Sequence, residues 1–147
     1  MKVGVFGLAT PETLTKADAS KMPGITFPQT DKLYAVAQAQ VDELNKAGAD
    51  LIVCLGHLAS MPSPPATAPS DLLEKVDGID VFIDGHSHST QEDIMAALGG
   101  TVTDAGDVTV TIGTDMVNGT VLTSAGTKLE EVGVVTIDEA GHIDART

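Results

Sequence analysis

Apolar residues recur along this chain in two rhythms. Between Asp31 and Ala47, the residues Leu33, Val36, Ala37, Val41, Leu44 and Ala47 fall on one stripe, while Lys32, Gln38, Asp42, Glu43 and Lys46 fall elsewhere. That period predicts an amphipathic helix, with Thr30 or Asp31 capping its start and Gly48 ending it. Elsewhere the apolar runs are short and unbroken. Val3, Val5, Phe6 and Leu8, interrupted by Gly4 and Gly7, predict a first buried strand with close backbone approach at the glycines. Leu51 to Leu55 and Val81 to Asp84 predict two more, and Val81–Phe82–Ile83 has the composition of a strand buried on both faces. The chain between Thr10 and Gln29 is polar and broken by Pro11, Pro23 and Pro28, which predicts a long connection with a short strand at Ile25 to Phe27.

A proline-rich loop from Gly56 to Pro69 leads to a short helix from about Ser70, capped by that serine and closed by Gly78. Strand, helix and strand in succession form a βαβ unit with a parallel pair. After His88 the texture changes. Thr90 to Leu98 predicts a capped helix; Val108 to Ile112, Val121 to Ser124 and Val132 to Ile137 predict antiparallel strands, with Asn118-Gly119 as a hairpin turn and Glu139 to His142 as another. The expected fold is therefore α/β: one domain over residues 1–147, with a βαβ half over 1–88 and an antiparallel region over 89–147.

Two of the strands end in the same way. Asp50-Leu-Ile-Val-Cys-Leu-Gly56-His57 and Asp80-Val-Phe-Ile-Asp-Gly85-His86-Ser-His88 both run from aspartate through an apolar strand to glycine and histidine. Adjacent parallel strands lie about 4.8 Å apart. Pairing of these two would therefore bring His57 and His86 together at the C-terminal edge of the sheet, where open α/β sheets bind ligands. His88, two residues on, would straddle the site in a turn. Converging neutral imidazoles favour Zn, Mn or Fe over Mg or Ca, and Asp84 is a candidate to orient a ligating ring. By contrast, His142 reads as a surface turn residue, Cys54 as core, and Asp50 and Asp80 as solvated turn residues.

Composition narrows the possibilities further. The net charge of −13 opposes binding to nucleic acid or anionic membrane. Aromatics are only 3% of the chain, so stacking platforms are scarce. A single cysteine excludes an intramolecular disulfide, and no window has the roughly 20 apolar residues of a membrane span.

Gly56-His57 and Gly85-His86-Ser87-His88, with Gly4-Val-Phe-Gly-Leu and the Ser70 helix, resemble the second half of the calcineurin-like metallophosphoesterase domain in its 5′-nucleotidase and UDP-sugar hydrolase branch. The tail from Thr123-Ser-Ala-Gly126 to Leu129-Glu-Glu-Val-Gly133 resembles that branch too. The resemblance implies half of a four-layer α/β/β/α sandwich, nucleotide phosphoesters as substrates, and a dinuclear metal site that activates water for in-line attack on phosphorus. It assigns His57 and His86 to one metal and His88 to the other, and implies a periplasmic, secreted or cell-surface parent.

The family's Asp-x-His, Gly-Asp and Gly-Asn-His-Asp/Glu segments have no counterpart in these residues. Asp84-Gly-His86 and Gly106-Asp107 carry some of the letters out of order. No catalytic residue is assigned as a result. The resemblance implies a truncated half-domain that binds at most one metal weakly and hydrolyses little alone, with exposed strand edges that favour a homodimer. The rival expectation is a non-enzymatic interaction or antigenic module with vestigial histidines.

Overall fold

The computed structural model describes residues 1–58, 68–97 and 119–146. In chain order the elements are β1 (Val3–Ala9), α1 (Thr13–Lys16), a 3-10 turn (Ala19–Lys21), α2 (Asp31–Lys46), β2 (Leu51–His57), α3 (Pro69–Leu73), β3 (Val81–Ile83), α4 (Gln91–Ala97), β4 (Val121–Thr123), β5 (Val134–Ile137) and β6 (Ile143–Arg146). Strands β1 to β4 form a parallel sheet in sequential order, and β5 and β6 form an antiparallel pair.

All three longer helical segments cover one face. Leu33, Ala37 and Val41 of α2, Leu72 and Leu73 of α3, and Ile94 of α4 pack on Phe6, Leu8, Ile52, Cys54, Phe82 and Leu122 of the sheet. On the opposite face the β5–β6 hairpin brings Ile143, Ala145, Val135 and Ile137 over Leu51, Val81 and Val121. A period of two in the sheet therefore sends alternate residues into two separate cores.

The α2 stripe behaves as its period predicts, and Gly48 ends the helix in the left-handed region at φ +78°. Its start differs. Thr30 has φ 48° and makes no side-chain capping bond. At α3 the first turn is set by Pro69, whose missing N–H costs nothing there, and the cap position falls to Ala68, with Ser70 inside the helix. At α4 the Thr90 hydroxyl accepts the Asp93 N–H at 3.2 Å and Asp93 accepts the Thr90 N–H at 2.9 Å, a reciprocal cap.

Four further expectations are corrected. β1 is buried on one face only: Phe6 and Leu8 point into the core, while Val3 and Val5 are 45% and 53% exposed. Likewise Ile83 of β3 is 37% exposed, because the hairpin covers the sheet only as far as Val81 on that strand. Residues 25–27 form no strand. β4 runs parallel to β3 as a member of the main sheet, with Val81 to Ile83 matched to Val121 to Thr123. The strand expected at Val108–Ile112 and the turn residue Asn118 lie outside the described residues, whereas the turn at Glu139–His142 does join β5 to β6.

Asp50 and Asp80 do more than sit in solvated turns. Asp50 accepts the Lys2 N–H at 2.6 Å while its own N–H donates to the Lys2 carbonyl, and Asp80 treats Ile52 the same way, accepting at 2.7 Å. Each clamps the start of its own strand to the preceding one, which holds β1, β2 and β3 in register. As a result their C-terminal ends arrive at one rim.

Candidate metal centre at the strand ends

The rim is built from three consecutive turns. Beyond β1, the Thr10 N–H donates to the His57 carbonyl at 2.9 Å, so the pairing with β2 continues past the last strand residue and then turns at buried Pro11. Glu12 follows at the start of α1. β2 delivers His57 as its final residue, and Leu58 behind it is fully buried. Beyond β3, the Asp84 N–H donates to the Thr123 carbonyl at 2.8 Å, and its carboxylate Oδ1 accepts the Leu58 N–H at 2.9 Å.

The backbone after Asp84 is then forced through unusual conformations. His86 has φ 78° and His88 has φ 61°. A non-glycine residue in this left-handed region costs about 1–2 kcal/mol, and such strain persists where the surroundings over-determine it. Here the constraints are visible. Ser87 N–H donates to the Gly85 carbonyl, the Ser87 and Ser89 hydroxyls are 2.8 Å apart, and the Ser89 carbonyl accepts both the Ser124 hydroxyl and the Gly126 N–H. Buried Gln91 adds two bonds to β4, donating to the Leu122 carbonyl and accepting the Ser124 N–H, each at 3.2 Å.

The outcome is a compact group. The His57 and His86 rings lie with centroids 4.8 Å apart and planes tilted by 57°. A Cβ at Gly85 would stand 3.3 Å from His57 Nδ1, so the glycine leaves that ring its place. His86 Nε2 is 2.9 Å from Glu12 Oε2, with the glutamate side chain 11% exposed and the imidazole 28%. Of the histidines singled out from the sequence, His57 and His86 are thus brought together. His88 is exposed on the same loop, and no hydrogen bond or ring contact of it is found among the described residues. His142 sits in the β5–β6 hairpin turn, against Asp138 at 3.4 Å.

Glu12 was not legible as a site residue. It stands in a polar, proline-interrupted stretch, and the one signal available was its place just after a strand that would align with the two Gly-His strands. Asp84, expected to orient a ring, spends Oδ1 on the Leu58 backbone. Nearby, burial first and then the negative charge of Asp84 push the Cys54 thiol up to about 12, so this cysteine is an inert part of the core.

The donor chemistry suits a borderline divalent ion, since two imidazoles converge with a carboxylate behind one of them. Among the described residues, however, no three His, Cys, Asp or Glu side chains are gathered so as to hold a metal ion by themselves.

Comparison with known proteins agrees with this architecture. No family model matches the sequence. Over 91 residues the chain is 32% identical to the 2′,3′-cyclic-nucleotide 2′-phosphodiesterase/3′-nucleotidase of Haemophilus influenzae, covering 60% of this chain and 13% of that protein. Over 92 residues it is 30% identical to the trifunctional nucleotide phosphoesterase protein YfkN of Bacillus subtilis, covering 60% of this chain and 6% of that protein. The crystal structure of calcineurin-like phosphoesterase YfkN from Bacillus subtilis superposes with a TM-score of 0.62 at 22% identity, covering 97% of this chain and 43% of that one. This chain thus shares the fold of a calcineurin-like phosphoesterase and is similar in sequence to part of two nucleotide phosphoesterases, spanning 13% and 6% of their length.

Proposed function

We propose that this chain carries the histidine-bearing part of a metal-dependent phosphoesterase acting on nucleotides. The observation that carries the reading is the 4.8 Å approach of His57 and His86 at the C-terminal ends of neighbouring parallel strands. Relatives described as a cyclic-nucleotide phosphodiesterase/3′-nucleotidase and a nucleotide phosphoesterase support the substrate class. In this reading His57 and His86 hold one divalent ion, Zn, Mn or Fe, and His88 belongs to a second. A bound ion would polarise a phosphoryl oxygen and offset the charge that develops as the ester bond breaks. The chain's own residues fix two imidazoles on a rigid edge and keep one of them hydrogen-bonded to Glu12.

The 147 residues on their own are expected to bind at most one ion, weakly, and to hydrolyse phosphoesters at background rate. Removing a single transition-state donor already costs about 10²–10³ in rate, and the family's bridging aspartate and asparagine segments have no counterpart here. Elemental analysis of the purified chain, with AMP and p-nitrophenyl phosphate assays alongside, tests this. Weak binding lost in the combined His57→Ala, His86→Ala, His88→Ala variant supports the reading. Vigorous hydrolysis abolished by His86→Ala would show that the chain is a complete enzyme.

A second reading rests on the outer sheet face, where Val3, Val5 and Leu55 stand 45%, 53% and 49% exposed. Under it the chain is an interaction module, a homodimer included, with vestigial histidines. Metal content identical in the wild type and the triple variant would favour it.

A further inference from the structure

Three consecutive parallel strands each present one side chain to the rim: Glu12 after β1, His57 at the end of β2 and His86 after β3. In a chain with 21 acidic and 8 basic residues, an acidic side chain gains nothing from burial unless it is paired, yet Glu12 is among the buried polar residues. Its position is set by a rigid turn. The Thr10 carbonyl accepts both the N–H and the hydroxyl of Thr13, the Glu12 N–H donates to the Thr10 hydroxyl at 3.3 Å, and the Glu12 carbonyl accepts the N–H groups of Thr15 and Lys16. The carboxylate is thereby aimed at His86, with Oε2 at 2.9 Å from Nε2.

A carboxylate accepts and does not donate, so in neutral His86 the proton of this bond sits on Nε2. The lone pair of the ring is then on Nδ1. We propose that Glu12 is a positioning residue for His86, holding the Nε2–H tautomer so that Nδ1 is the nitrogen presented to a divalent ion. A carboxylate behind a ligating imidazole orients the ring and raises its basicity, and the loss of such a partner costs 10–100-fold in metal affinity. The left-handed backbone at His86 gives a reason for the arrangement: a strained loop holds its residue in place, but the ring itself needs a second point of attachment. The proposal rests on the metal-site reading above.

The test uses the full 147-residue chain with ¹⁵N-labelled histidine. In the metal-free protein, with pH raised until the ¹⁵N shifts report a neutral ring, long-range ¹H–¹⁵N correlation is expected to show His86 protonated at Nε2. The same pattern is expected in Glu12→Gln, whose amide oxygen still accepts, and mixed tautomers in Glu12→Ala. Zinc affinity, measured by competition with a chromophoric chelator, is expected to fall about 10–100-fold in Glu12→Ala and far less in Glu12→Gln. Thermal unfolding of each variant identifies any that fails to fold, and the wild-type tautomer then decides. Wild-type His86 protonated at Nδ1, or zinc affinity unchanged in folded Glu12→Ala, overturns the proposal alone. A wild-type chain that binds no zinc overturns the metal-site reading and the proposal with it.

Discussion

Asp84 Oδ1 accepts the backbone N–H of Leu58 at 2.9 Å, and this bond ties the end of β3 to the first residue beyond β2. It is a buried bond to a charged acceptor, the kind whose loss leaves a donor unsatisfied at about 1–3 kcal/mol. Asp84→Ala is therefore expected to lower unfolding stability by about 2 kcal/mol, whereas Asp84→Asn keeps an acceptor and loses less. Urea denaturation followed by circular dichroism measures both. Equal midpoints for wild type and alanine variant would show that the bond contributes nothing.

Gly56 is the position where backbone and core approach most closely at the rim. A Cβ there would overlap Phe82 Cε1, lie 2.6 Å from its Cζ and 2.9 Å from Asp84 Oδ1. Phe82 is fully buried and has nowhere to retreat. Overpacking of this kind costs about 1–3 kcal/mol, and Gly56→Ala should fall at the upper end, with the His57 and His86 resonances shifted as the loop moves.

Gln91 joins α4 to β4 with one donated and one accepted bond, both buried. Gln91→Ala orphans two backbone groups and is expected to cost about 3 kcal/mol by the same unsatisfied-group penalty. Gln91→Glu is the sharper probe. It still accepts the Ser124 N–H but sets a carboxylate against the Leu122 carbonyl, so it should also destabilise, and more at neutral pH than in acid. A glutamate variant as stable as wild type at neutral pH would contradict the described geometry.

Cys54 gives a pH prediction with a definite sign. Its thiol is raised from an ordinary value of 9.0 to about 12 in the folded chain, chiefly by burial. Above about pH 9 the unfolded chain releases this proton while the folded chain keeps it, so stability falls as pH rises through that window, by about 1.4 kcal/mol per unit. Below it the contribution is fully present. Cys54→Ala should flatten the alkaline slope relative to wild type, and the native thiol should resist a disulfide reagent at pH 8 until denaturant is added.

Part of this molecule is readable along the chain because the relevant period lies between near neighbours. The α2 stripe from Leu33 to Val41, the capped start of α4, the β5–β6 turn and the two strands that end in glycine and histidine all follow from residues a few positions apart. Even the meeting of His57 with His86 follows once Leu51 to Leu55 and Val81 to Ile83 are taken as a parallel pair, which they are.

Other features have no local signature. Nothing in Val121-Leu-Thr states whether the strand runs with or against its neighbour, and its pairing with β3 decides that. Val3 and Val5 have the composition of buried residues and are exposed because the hairpin covers the other end of the sheet. Glu12 reads as one more charge in a polar connection.

By itself, then, the sequence determined α2 to α4, the places of β1 to β5 and the two histidine-bearing ends, since each depends on side chains adjacent in the chain. Only the tertiary structure decided which carboxylate stands behind His86. That contact spans 74 positions and exists because β1, clamped in register beside β2, ends at the same rim.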